Sequence, residues 1–172
     1  MPSSKYSHKV ARAIRFALLA LSLIVASIPS YAADATDAAL AFVKQRHLGN
    51  NLDSMAFTVA SRTMTFATIK KQIGISDAQS LVREKLSGLE PKYQGQWDAD
   101  LAASYAEFFS SDELLSLTDR GPASSVAAKF GALQSSVGRS MQSKSTGILQ
   151  AFVSEALVDA FKQSTQHTDK PR

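Results

Sequence analysis

Catalysis or metal binding would be sought first at a handful of side chains. Of the three histidines, His8 lies near the start, His47 follows a helical pattern and His167 sits in a polar tail. No His-Glu-x-x-His occurs and no two histidines share a helical face, so the spacing a zinc site needs is missing. His47 falls at a helix end, where a cation complements the dipole. GRSMQSKS (138–145) has the spacing of a phosphate loop, but Ser143 stands where the second glycine must let the backbone curl. A helical pattern surrounds it instead of a strand. No Gly-x-Ser-x-Gly or Ser-x-x-Lys nucleophile motif follows the first 32 residues. The acidic pairs Asp98/Asp100 and Asp112/Glu113 sit at expected helix starts, where acids complement the dipole, and no Asp-rich calcium loop is present. The sequence therefore names no catalytic residue, metal ligand or cofactor.

Two rows of another kind remain. Trp97, Leu101, Tyr105 and Phe108 fall within an arc of about 80° on a helical projection, the width of a core-facing stripe. Phe109 lies off the centre of that arc. The row reads as core-facing; the candidate ligand or partner groove is expected between the fourth and fifth helices, bordered by Tyr105, Phe109 and Trp97, and Phe109→Ala is expected to cost less stability than Phe108→Ala. Ser124, Gly131, Gly138 and Ser145, spaced by seven, form a row of small side chains read as roughly opposite the apolar stripe of the last helix. It is either a solvent face or a close helix contact, within the chain or in a homo-oligomer.

The elements that position these rows are all helical, since no stretch alternates with period two. The first helix is expected over about 37–47, with Thr36 as N-cap and Gly49 as stop. The second spans about 53–72, with Met55, Val59, Phe66, Ile69 and Ile73 as its buried stripe. Ser76 and Gln79 read as a capping box opening a third helix over 77–88. Gly88, Pro91 and Gly95 then predict a loop before the aromatic helix. Ser110 and Glu113 form a second capping box opening a short fifth helix with Leu114, Leu115 and Leu117, closed by Gly121. The region from 122 to about 164 is one long helix or a pair broken near Ser143–Gly147. Its stripe is Val126, Phe130, Leu133, Val137, Met141, Ile148 and Phe152. The fold class is thus all-α: one domain (33–164), a helical bundle of about six helices, with a polar, fraying tail over 165–172.

Ahead of this domain, Met1–Arg15 carries four basic residues and no acid, Phe16–Ile28 is uninterruptedly apolar or small, and Ser30 and Ala32 stand at the −3 and −1 positions. That is a secretory signal peptide cleaved after Ala32; its thirteen apolar residues fall short of the roughly 20 that span a bilayer. It predicts a periplasmic protein with no transmembrane segment after cleavage. The four basic residues account for the whole net charge of +4. The remainder is formally neutral, which argues against nucleic-acid binding. With no cysteine, its stability rests on packing.

The pattern Tyr-x-x-x-Phe-Ser-x-x-Glu-Leu at Tyr105, Phe109, Ser110, Glu113 and Leu114, after a leader and before a short and then a long helix, resembles the bacterial exported helical proteins of domain of unknown function 2059. The resemblance covers about 97–160. Where that family has an aromatic pair and Ser-Pro-x-Gly after the short helix, this chain has Asp119–Ser124 and shares only Pro122. It implies a location and a fold, and no catalytic residues. The functional expectation is an exported, non-enzymatic binding or interaction module of the cell envelope, whose partner is an envelope protein or an apolar ligand. The alternative is a small hydrolase-like periplasmic enzyme with a site assembled from scattered residues.

Overall fold

A helix of 42 residues, α6 (Ala127–Thr168), forms the axis on which α2, α3 and α4 pack. The computed structural model describes residues 30–168, with side chains from 34 to 166. In chain order α6 is preceded by α1 (Ser30–Gln45), α2 (Leu52–Ala60), α3 (Met64–Ile73), α4 (Ile75–Ala106), α5 (Ser111–Arg120) and a 3-10 turn (Gly121–Ala123). Among the described residues there is no strand, and none of the helices is long and apolar enough to cross a membrane. The all-α bundle with a long C-terminal helix is as the periodicity predicts. The expected leader up to residue 29 and tail residues 169–172 lie outside the described residues; residues 165–168 belong to α6.

Among the described residues there are six α-helices, but two of the expected boundaries trade places. The second expected helix is two, because Thr63 takes an extended conformation (φ −88°, ψ 156°) and its hydroxyl accepts from the Phe66 amide at 3.1 Å, capping α3. The third and fourth are one, because α4 runs through Gly88, Pro91 and Gly95. All three breakers are exposed. Proline costs a helix about 3 kcal/mol, and here the packing of both halves on α6 outweighs it. Leu89, Tyr93, Trp97, Leu101 and Tyr105 repeat every four residues straight across Pro91, and Tyr93 stacks on Phe152 of α6 at 4.9 Å. Gly74 joins α3 to α4 in one residue, with φ 87° and ψ 163°, a conformation that favours glycine. Because α4 begins at Ile75, Ser76 lies inside its first turn and makes no capping box.

The capping box at Ser110 is present. Ser110 Oγ accepts from the Glu113 amide at 3.3 Å, and Glu113 Oε2 accepts from the Ser110 amide at 3.0 Å. The stop of α1 differs from expectation. His47, not Gly49, takes the left-handed turn (φ 55°). The Leu48 amide donates to the Val43 carbonyl at 3.0 Å and the His47 amide to the Lys44 carbonyl at 3.2 Å, the Schellman pair of bonds.

The core falls into two clusters along α6. One gathers Leu52 and Ala56 of α2, Phe66 and Ile69 of α3, Leu86 and Trp97 of α4, and Phe152 of α6. The other gathers Phe42 and Val43 of α1, Tyr105, Phe109, Leu114 of α5 and Val137. Leu101 packs against both. In α2 the buried face is Leu52, Ala56 and Ala60, so Met55 and Val59 are not core: they are 43% and 39% exposed. The break at Thr63 lets α2 and α3 turn different faces inward.

Candidate functional site

A groove of about 720 Å³ lies between α2, α4 and α6. Its floor is one face of α4: Trp97, Leu101 and Tyr105 at four-residue steps. The first wall is Leu48 and Asn51 from the α1–α2 connection with Met55 and Val59 of α2. The other wall is α6, which supplies two adjacent rows. Val137, Met141, Ser145 and Leu149 form the inner one; Gln134, Gly138, Gln142, Thr146 and Gln150 form the outer one. Each row repeats every four residues, as neighbours on a helix surface do.

None of the sixteen lining residues is charged. In a chain that is 20% charged, this decides the electrostatics of the site. An ion entering the groove would lose its hydration and meet no opposite charge. The polar groups that are present are amides and hydroxyls, several already engaged. Trp97 Nε1 donates to Asn51 Oδ1 at 3.2 Å. Ser145 Oγ donates to the Met141 carbonyl at 2.8 Å, and Thr146 Oγ1 to that of Gln142 at 2.6 Å. The Tyr105 hydroxyl pairs with the Gln134 side chain, and burial, the larger effect, raises its pKa. The phenol stays neutral.

The expected site residues separate. Trp97 and Tyr105 are brought together on the groove floor, and Gly138 and Ser145 from the small-residue row join them. Phe109 does not line the groove. It is 3% exposed and packs at a tilt against Tyr105 and Phe130, at centroid distances of 6.1 and 6.0 Å. The helical projection fails there because α4 ends at Ala106 and a turn carries the chain to Phe109. Phe108, placed within the arc by that projection, is only partly buried. The row of small residues is not opposite the apolar stripe. Ser145 is one turn beyond Met141, and both are buried. Ser124 is also buried, its hydroxyl bonded to that of Ser116 at 2.8 Å. Gly131 and Gly138 are exposed, and a Cβ on either would meet nothing within 4 Å. Among the described residues no other helix approaches them closely.

The remaining polar clusters tie helices together. Glu155 of α6 accepts from Lys92 Nζ at 2.6 and 2.8 Å and from the Tyr93 hydroxyl, which holds its carboxyl below the usual range. Glu155 lines neither the groove nor the second cavity described below. Residues 138–145 are continuous α-helix, so the phosphate-loop spacing has no loop behind it. Among the described residues no three His, Asp or Glu side chains converge to hold a metal. His47 is exposed in its turn and His167 lies outside the described side chains.

Compared with protein-family models, curated proteins and solved structures, the chain matches none. The site is therefore argued from its own geometry. Sequence reasoning missed the α2 wall. The signal was the four-residue repeat Leu52, Ala56, Ala60, which competes with Met55 and Val59 for the core; the smaller side chains are the buried ones because they let α2 lie close to α4 and α6.

Proposed function

We propose that this chain is an exported, non-enzymatic binding module of the cell envelope, and that the groove between α2, α4 and α6 takes an uncharged, apolar ligand. The observation that carries the reading is a groove of about 720 Å³ without one charged lining residue, beside two large apolar side chains left exposed on its wall, Met55 and Val59. Ligand sites are concave, mostly apolar and furnished with a few polar groups. Burying a ligand against them contributes about 25 cal/mol per Å² of apolar surface, and Met55 and Met141 add side chains that repack around different shapes.

General acid–base or nucleophilic catalysis would need a titratable or activated group in the site. The groove has only the neutral Tyr105 phenol, already paired with Gln134. That favours binding over the hydrolase-like alternative. Export and a periplasmic location rest on the leader pattern of residues 1–32. Kinship with the exported proteins of domain of unknown function 2059 rests on Tyr105, Phe109, Ser110, Glu113 and Leu114.

Trp97 is the only tryptophan and lies on the groove floor. The purified protein is titrated with the neutral fluorophore N-phenyl-1-naphthylamine while tryptophan emission is followed. Saturable dye binding with matched quenching of Trp97 is expected. Dye binding that leaves Trp97 emission unchanged would place the ligand elsewhere and refute the groove.

A further inference from the structure

A second cavity, of about 530 Å³, lies at the other side of Leu48, between the end of α1, the α5–α6 connection and the start of α6. Phe42, Leu48, Leu117, Pro122, Ala127 and Phe130 make its walls apolar. Gly131 opens onto it, as Gly138 opens onto the groove. One lining residue is charged: Arg46, the residue before the left-handed His47.

Arg46 is exposed where it lines this cavity. Its guanidinium lies against the backbone of Gly121, so close that a Cβ at that position would collide with Nη2. Gly121 has φ 52° and ψ −124°, a conformation that favours glycine and carries the chain sharply out of α5. The guanidinium also makes no hydrogen bond or ion pair among the described residues. Of the acids in and beside α5, Glu107 pairs with Lys144 at 2.9 Å and Glu113 with Lys129 at 2.7 Å, and among the described residues neither Asp112 nor Asp119 forms an ion pair with Arg46. An arginine fork pairs best with a planar oxyanion, which it can hold through two parallel hydrogen bonds.

We propose that this cavity binds a monocarboxylic acid with an apolar tail, the carboxylate on the Arg46 guanidinium and the tail against Phe42, Leu117 and Phe130. The site is separate from the neutral groove and does not depend on the function proposed for it. The two cavities sort ligands by charge: the groove has no charged lining residue to pair with an anion, and this cavity has one cation that has no partner among the described residues.

The test uses octanoate, with 1-octanol as its uncharged counterpart, followed by calorimetry on the purified protein. Octanoate is expected to bind saturably with 1:1 stoichiometry. Arg46→Gln should weaken it about tenfold, the scale of one charge-assisted hydrogen bond, and leave octanol unchanged. Gly131→Leu should fill the cavity and abolish octanoate binding, whereas Gly138→Leu should leave it intact. Both glycines are exposed in α6 with space around them, so these variants are expected to keep the melting temperature or raise it. Failure of octanoate to bind, or equal binding by wild type, Arg46→Gln and Gly131→Leu, would overturn the proposal. Octanoate binding abolished by Gly138→Leu but unchanged in Gly131→Leu would place the acid in the groove and overturn it as well. Loss of groove binding to the neutral fluorophore would leave this result untouched.

Discussion

The indole N–H of Trp97 donates to Asn51 Oδ1 at 3.2 Å, joining the middle of α4 to the residue that precedes α2. Gln94, one turn earlier, donates to the Gly49 carbonyl at 3.1 Å. Together these bonds seat the α1–α2 connection on α4 and so set the first wall of the groove. We predict that Asn51→Leu costs about 1–3 kcal/mol, since it leaves a buried donor without a partner. Urea unfolding followed by Trp97 emission measures it. A loss under 0.5 kcal/mol, the scale of an ordinary surface substitution, would show that the bond does not hold the wall.

Phe109 and Phe108 give a prediction of opposite sign to the one the helical projection suggests. Phe109 is 3% exposed and packs in a ring cluster with Tyr105 and Phe130, with Lys129 Nζ 5.0 Å from its centroid. Phe109→Ala should cost about 3–5 kcal/mol, and Phe108→Ala clearly less. Denaturant midpoints of the two variants decide the order. Equal losses would contradict the two environments.

His47 holds a left-handed turn that a residue with a side chain adopts at a cost of roughly 1–2 kcal/mol. The bonds that close α1 there use only backbone atoms. His47→Gly should therefore stabilise the protein by up to about 1 kcal/mol, the gain being offset in part by glycine's greater freedom when unfolded. A melting temperature below that of the wild type would show that the imidazole itself contributes.

Glu113 should make stability depend on pH in one direction. Its hydrogen bond with Lys129, then its bond with the Ser110 backbone, lower its pKa in the folded state. A carboxylate lowered on folding contributes stability that is present above its unfolded pKa of about 4.3, and that contribution is lost as pH falls through the folded value. Glu113→Gln should lower the melting temperature at neutral pH and converge with the wild type in acid. Asp53 acts oppositely. Burial, opposed by Arg83, raises its pKa, and its Oδ1 is buried without a partner. Its folded form favours the proton, so Asp53→Asn should stabilise the protein at neutral pH, with the advantage fading as pH falls through the folded pKa. Parallel pH–melting curves for wild type and either variant would contradict the corresponding assignment.

The bundle could be read from the residues, and so could its short fifth helix, because Ser110 and Glu113 are a local signal that needs nothing from the rest of the fold. Helix boundaries were less legible where local and tertiary preferences disagree. Gly88, Pro91 and Gly95 argue for a loop, while the unbroken four-residue repeat from Leu89 to Tyr105 argues for a helix; packing on α6 decides for the repeat. Thr63 reverses the case, since a single side-chain cap ends a pattern that periodicity would continue. The groove was half legible. Trp97 and Tyr105 point to its floor, but its wall depends on Ala56 and Ala60 taking the core in place of Met55 and Val59. Gly131 and Gly138 stood out for their spacing, read as a solvent face or a close helix contact, and the structure leaves both exposed at the mouths of two cavities.

The neutral groove is tested most directly by dye binding to Gly138→Leu beside Gly147→Leu. Both glycines are exposed in α6 and would meet nothing within 4 Å with a Cβ added. Either change should favour the helix, by up to about 1 kcal/mol. Gly138 lines the groove; Gly147 does not. Gly138→Leu should abolish saturable N-phenyl-1-naphthylamine binding and the quenching of Trp97 while folding at least as stably as the wild type, and Gly147→Leu should bind as the wild type does. Dye binding of wild-type affinity in a folded Gly138→Leu protein would contradict the groove as the ligand site.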